Sequence, residues 1–243
     1  MLVISSGMQK SGTAYFYNVL NDLLIESGAE NVRKIKDEFS LGNILKDNNN
    51  NIDGISWKDL LKISVVSFKK GTFAVKTHYP NRRSFGILSN AGFLKIIYSY
   101  RDPRDVILSV IDHGKKLIES GETDSFTKMI ELDDAVRNVK SWINDCKELS
   151  KKNNILKYSY EDFIKDPENI LSKVSEFLKI EFSTKSVQEV LLRYNSSNPD
   201  MPKGRLHFNK GIVDRFKTEM SISDQNRVIE TLGNEIVEMG YKL

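Results

Sequence analysis

The chain has 243 residues, 40% of them hydrophobic and 28% charged, and its 36 Lys and Arg against 33 Asp and Glu leave a formal net charge of +3. That usage is globular and excludes wholesale disorder, while so mild a charge does not mark a nucleic-acid or membrane-surface protein. A single cysteine, Cys146, rules out an internal disulfide and a cysteine metal cluster, and no stretch approaches the roughly 18 apolar residues of a membrane span.

The start, Met-Leu-Val-Ile-Ser-Ser-Gly, lacks the charged head and long apolar run of a secretory signal, so a reducing, cytoplasmic setting is expected. Leu2–Ser5 is the first of four short runs of branched and aromatic residues. Thr72–Lys76, Leu94–Tyr100 and Ile155–Ser159 follow, with helical patterns between them. The spacing predicts an α/β fold: a central, mostly parallel sheet flanked by crossover helices, in one domain over residues 1–243.

The first run passes through Gly7 and Gly12 into a helix over Ala14–Leu24. This strand, glycine loop and helix present unpartnered first-turn amides and the positive end of the helix dipole to an anion. Lys10 adds a full charge, and Ser11 and Thr13 add hydroxyls. The order Lys10-Ser11-Gly12-Thr13 differs from the Walker A order, in which lysine follows the last glycine.

Asn48–Asn51 is the only low-complexity patch and reads as an exposed loop tip without chemistry. At the end of the second run, Lys76, Thr77, His78 and Tyr79 bring a cation and an imidazole to a strand's carboxyl end, where ligands gather in open α/β sheets. A lone histidine in such a place is more often structural or merely exposed than catalytic. The third run leads into Arg101-Asp102-Pro103-Arg104-Asp105, in which Asp102 caps a helix that Pro103 begins. Residues 112–134 fit two descriptions: a mobile segment over a site, or solvated helix and loop. Asp134–Ser150 is helical, with Val136, Val139, Trp142, Ile143 and Cys146 toward the core. The end of the chain, from Ser223, forms another amphipathic helix around Val228, Leu232, Ile236 and Met239.

Four of these segments resemble motifs of the PAPS-dependent sulfotransferases, which transfer a sulfuryl group from 3′-phosphoadenosine 5′-phosphosulfate and release PAP. Lys10-Ser11-Gly12-Thr13 is similar to the family's 5′-phosphosulfate loop, with Ala14 beside it and Tyr15 in place of its tryptophan. Lys76-Thr77-His78-Tyr79-Pro80 is similar to its K-T-H-x-P segment. Arg101 and Ser109 are similar to its 3′-phosphate pair, and Tyr160-Glu161-Asp162 to its Y-E-D segment. The resemblance implies a P-loop-like fold, PAPS as donor without a required metal, His78 as general base, and Lys10 and Lys76 as catalytic cations. Tyr160 would lie near the adenine or, as the residues alone allow, pack at a strand end.

His113 and Tyr79 are candidates for the acceptor side. Asp112, Glu119, Glu131, Asp133 and Asp134 either favour a cationic acceptor or form a solvated face. The implied partner is a small-molecule acceptor, taken through a hydroxyl or an amine, for a monomer or homodimer with no nucleic acid or membrane.

Two segments depart from the family pattern. Where relatives carry R-K-G-x-x-G-D-W, this chain has Asn209, Lys210 and Gly211 followed by Asp214 and Arg215. Asn209 brings no charge, so Arg205 or Arg215 is needed to compensate. The dimer-type segment is represented by Lys217, Ser221, Ile222 and Asn226, without the final glutamate. Two other functions stand beside this one: a P-loop small-molecule kinase, suggested by the strand–loop–helix start, and a module that binds PAPS or PAP without turnover, suggested by the uncharged Asn209.

Overall fold

Leu2, Val3 and Ile4 are fully buried because the strand they open has core on both faces. In the computed structural model, which describes residues 1–80, 83–152, 154–195, 198 and 211–243, that strand is β1 (Leu2–Gly7). It is followed by α1 (Thr13–Glu26), α2 (Val32–Glu38), α3 (Trp57–Lys70), β2 (Phe73–Thr77), α4 (Arg83–Asn90), β3 (Leu94–Tyr100) and α5 (Pro103–Glu119). A single 3₁₀ turn (Ser125–Lys128) leads to α6 (Leu132–Ser150), β4 (Ile155–Ser159), α7 (Tyr160–Lys165), α8 (Pro167–Leu178), α9 (Thr184–Arg193), α10 (Phe216–Glu219) and α11 (Ile222–Glu238).

The four strands form one parallel sheet in the order β2-β1-β3-β4. Side chains alternate across it. Val3, Ala74 and Ile97 face the α1 and α7–α9 side, whereas Leu2, Ile4, Phe73, Val75 and Ile96 face the α2–α4 side. A third cluster joins α5, α6, α10 and α11 through Val110, Val139, Ile143 and Leu232. The chain leaves β1 toward β2 and returns past it to β3, so the order reverses at β1. The carboxyl ends of β1 and β3 therefore border the crevice in which such sheets bind ligands.

The four expected strands are present, with β1 longer by two residues and β2 shifted by one. Asp102 caps α5, accepting from the Arg104 amide, with Pro103 in the first turn. Cys146 is buried, and burial pushes its thiol up to about 11, which makes it inert.

The asparagine patch corrects its expectation. Asn49 and Asn50 are buried, not exposed. Asn49 accepts from the Asn18 amide at 3.0 Å, Asn50 donates to the Tyr17 hydroxyl at 2.8 Å, and Asn51 forms a parallel bridge to Lys76. The backbone of the segment pairs with the edge that β2 leaves open, while its side-chain amides bond to Asn18, Tyr17 and Asp53, and polarity alone does not reveal either use.

Within 112–134, the residues up to Glu119 complete α5 and Ser125–Lys128 form the 3₁₀ turn. A Cβ on Gly114 would lie 2.4 Å from the Phe126 carbonyl, so the 3₁₀ turn rests directly on the α5 backbone. Among the described residues, no helix is long and apolar enough to cross a membrane.

Candidate active site

The loop from β1 to α1 is held shut from behind. The Met8 amide donates to Ser99 O at 2.9 Å, and the Ser11 hydroxyl donates to Met8 O at 2.6 Å while meeting Ser99 Oγ at 2.8 Å. Gly7 is required there, because a Cβ would sit 2.1 Å from Ser99 Oγ. Lys10 (φ 66°) and Gly12 (φ 77°) both take left-handed backbone, turning the chain around Ser11. The Ser11 side chain is thereby committed to the interior. Gly12, Thr13, Ala14 and Tyr15 line a cavity of about 700 Å³, and no side chain caps the start of α1. The first-turn amides and roughly half a positive charge of helix dipole are thus available to an anion.

Lys10 reaches into this cavity, its Nζ 5.4 Å from the centre of the Phe126 ring. Burial, with the Lys116 charge adding, lowers its pKa to about 8, although Asp124 and Asp112 pull the other way.

The end of β2 supplies the second cation and the imidazole. Lys76 is buried, and its Nζ lies 2.9 Å from His78 Nε2. His78 Nδ1 lies 3.2 Å from Gly7 O. A carbonyl can only accept, so Nδ1 carries the hydrogen and Nε2 keeps the lone pair. Burial lowers the His78 pKa to about 4, reinforced by the Lys76 charge and opposed by Asp53. The imidazole is therefore neutral at neutral pH, with its basic nitrogen beside the cavity.

Arg101, just past β3, forms the third cationic corner. Its Nη2 donates to Asp105 at 3.0 Å and to Ile212 O at 2.6 Å, and its guanidinium stacks 4.5 Å from the centre of the Tyr160 ring. Arg101 Nε is buried without a partner among the described residues. An orphaned guanidinium donor on a cavity wall calls for an anionic acceptor. Tyr160 donates to Gly211 O at 3.1 Å, and its ring lies so close to Gly12 that a Cβ there would be 2.7 Å away. The aromatic wall, the arginine and the glycine loop are thus one packed unit.

Ser109 and His113 of α5 also line the cavity, with Phe126 set edge-on to His113 at 4.8 Å. Glu122 and Asp124 complete this wall. Arg215 also borders the cavity, but Asp112 at 2.6 Å and Glu219 at 2.7 Å already hold it and raise its pKa. Asp112 is therefore committed to an ion pair, as is Asp133 with Arg227.

Of the residues singled out by sequence, Lys10, Gly12, Thr13, Ala14, Tyr15, Lys76, His78, Arg101, Ser109, His113, Tyr160 and Gly211 converge on this one cavity. Ser11 lies behind it, and Tyr79 is exposed and accepts from the Gln9 amide at 3.1 Å. Asn209, Lys210 and Arg205 fall outside the described residues. Sequence reasoning missed Gln9, Asp53, Leu117, Glu122, Asp124 and Phe126. Gln9 sits inside the loop motif and was open to inference; the others carry no local signal.

Residues 2–234 match the Sulfotransferase domain family. The chain is 31% identical over 110 residues to 3-beta-hydroxysteroid sulfotransferase of Cavia porcellus, covering 42% of this chain and 37% of that protein. It is 31% identical over 127 residues to luciferin sulfotransferase of Photinus pyralis, covering 50% and 34%. These matches span only about a third of each relative's own length. Among solved structures, retinol dehydratase in complex with retinol and PAP superposes with a TM-score of 0.61 at 19% identity, over 100% of this chain and 83% of that one. A mouse sulfotransferase complexed with PAP gives 0.59 at 17% identity, over 98% and 86%. At these identities the superpositions show the shared fold.

Proposed function

Because the chain belongs to the sulfotransferase domain family, matched from residue 2 to residue 234, we propose that it transfers a sulfuryl group from PAPS to a hydroxyl or amine of a small-molecule acceptor. The observation that carries this reading is the convergence of Lys10, Lys76, the orphaned Arg101 Nε and a neutral His78 on one cavity. PAPS brings an activated sulfuryl group on a 5′-phosphate and a 3′-phosphate for recognition.

The residues fit that donor. Gly12–Tyr15 and Lys10 suit the 5′ end, through the first-turn amides of α1 and a full charge. Arg101 Nε and Ser109 suit the 3′-phosphate, and Tyr160 offers a face for the adenine beside Arg101. Asn209 and Lys210 remain candidates for the same phosphate.

His78 Nε2 acts as the base. It takes the proton of the acceptor O–H or N–H while the acceptor atom bonds to sulfur and the sulfur–oxygen bond to the 5′-phosphate breaks. Lys10 steadies the charge growing on the bridging oxygen that leaves, and Lys76 that on the sulfuryl oxygens. Lys76 now donates to Nε2, so the base becomes competent when that ammonium turns to the sulfuryl oxygens. His78 is then freed only once the donor is in place.

Calorimetry with PAP, PAPS and ATP, followed by a radiolabelled transfer screen, tests this. Tight PAP binding, no ATP binding and label on an acceptor are expected. ATP binding with magnesium would instead support a kinase, and PAP binding without transfer to any acceptor a non-catalytic module.

A further inference from the structure

Residues 46–53 run along the open edge of β2 and end at the base. Lys46 and Asn51 exchange backbone hydrogen bonds with each other, closing the segment into a small hairpin. The Lys76 amide donates to Asn50 O at 3.2 Å, and the Ile52 amide donates to Lys76 O at 2.8 Å. The hairpin is thereby stitched to the residue that carries the catalytic cation. Its far side is anchored on α1 through Asn18 and Tyr17.

Asp53 is where the hairpin delivers a charge. One carboxylate oxygen, Oδ1, accepts from the Thr77 hydroxyl at 2.7 Å and from the His78 amide at 2.8 Å. Oδ2 accepts from the Asn51 side-chain amide at 3.2 Å, and Asn51 Oδ1 accepts from the Asp53 amide at 3.0 Å. Thr77 Oγ1 accepts in turn from the Tyr79 amide. Three consecutive residues, Thr77, His78 and Tyr79, are therefore fixed around one carboxylate that itself borders the cavity.

We infer that Asp53 is a positioning residue for the Lys76–His78 pair, holding the backbone that aims the imidazole and supplying the negative charge that balances the Lys76 ammonium. The inference rests on the sulfuryl-transfer reading above. A buried lysine beside a neutral imidazole has no charge partner in that contact, and burial penalises its charged form. The charges acting on His78 are Lys76 on β2, Lys10 on the β1–α1 loop and Asp53 on the hairpin; Asp47 joins Asp53 in opposing the Lys76 charge, and Asp124 and Asp112 oppose that of Lys10. Burial tends to raise the Asp53 carboxyl, yet the donated hydrogen bonds from His78 and Thr77 hold it below its usual value. It is ionised at neutral pH.

Nitrogen-15 histidine NMR on the full chain separates geometry from charge without needing turnover, with His78→Ala assigning the signal among three histidines. Wild type should show His78 as the Nδ1–H tautomer at pH 7. Asp53→Asn keeps an oxygen acceptor for the His78 and Thr77 donors while removing the charge and the second oxygen that faces Asn51. It should retain that tautomer, lower the His78 titration midpoint and reduce kcat by about tenfold, with PAP affinity within about threefold of wild type. Asp53→Ala removes both and should give mixed tautomers and a kcat loss of about 10²-fold. Unchanged tautomer and midpoint in Asp53→Asn, or loss of PAP affinity in parallel with kcat, would overturn the inference. If wild type turns over no acceptor, the sulfuryl-transfer reading fails on its own, and the NMR comparison still decides what Asp53 does to His78.

Discussion

The two sides of the cavity are built differently. The donor side comes from the carboxyl ends of β1, β2 and β3, whose loops leave a sheet buried on both faces. The opposite side comes from the second half of α5 and a 3₁₀ turn, joined by exposed chain. On the sheet side several groups are pinned by buried contacts: Ser11, behind the cavity, on Met8 O, His78 on Gly7 O, and Arg101 on Asp105. On the other side the Phe126 ring meets His113 and also the Lys10 ammonium that reaches over from the β1–α1 loop, ring contacts that define a shape more than a direction. Chemistry that needs alignment within fractions of an ångström belongs on the first kind of wall, and adaptable acceptor binding on the second.

The largest effect that would break this contrast lies with the base. His78→Ala should lower kcat by about 10²–10⁴-fold while PAP affinity, read by calorimetry, stays near wild type. Retained turnover would remove the donor wall's central group from the reaction.

Arg101→Ala should weaken PAP by roughly 10- to 100-fold, from the loss of charge-assisted hydrogen bonds. It should also lower Tm by roughly 10 °C, because Asp105 is left buried without its cation. A loss of PAP affinity without a change in Tm would mean that Arg101 is not part of the packed wall.

Gly114→Ala pushes the 3₁₀ turn off α5, since the added methyl would meet the Phe126 carbonyl. The expected result is an acceptor KM raised about tenfold, with PAP affinity unchanged. If PAP affinity fell equally, the two walls would have to be regarded as one.

The smallest effect concerns pH. Lys10 loses its proton near pH 8 in the folded chain, against 10.5 for an ordinary lysine. Anion binding should therefore weaken as pH rises through 8, with proton uptake on binding between about 8 and 10.5. That uptake is measurable by calorimetry in buffers of different ionisation enthalpy. Folding stability runs the other way, because in that window the unfolded chain binds the extra proton, so stability gains as pH rises. For His78 the folded value lies near 4 against 6.5, so its contribution to stability is lost as pH falls from 6.5 toward 4.

By itself the sequence determined the strand–loop–helix start, the four strands and the groups at the strand ends that line the cavity. In each of these, spacing within a few residues carries the physics: Lys10 and Gly12 bend one loop, and Lys76 and His78 end one strand. Partners far apart in the chain were decided only by the tertiary structure. Asp53 meets His78 across 25 positions, Phe126 meets Lys10 across the cavity, and the Arg101 guanidinium finds Ile212 O. Asn48–Asn51 shows the limit most clearly, since its polarity suggested solvent whereas Asn49 and Asn50 are buried, their side-chain amides bonded to α1 and the backbone of the segment to the edge of β2. A polar side chain is compatible with either environment, and the fold decides which one supplies its hydrogen bonds.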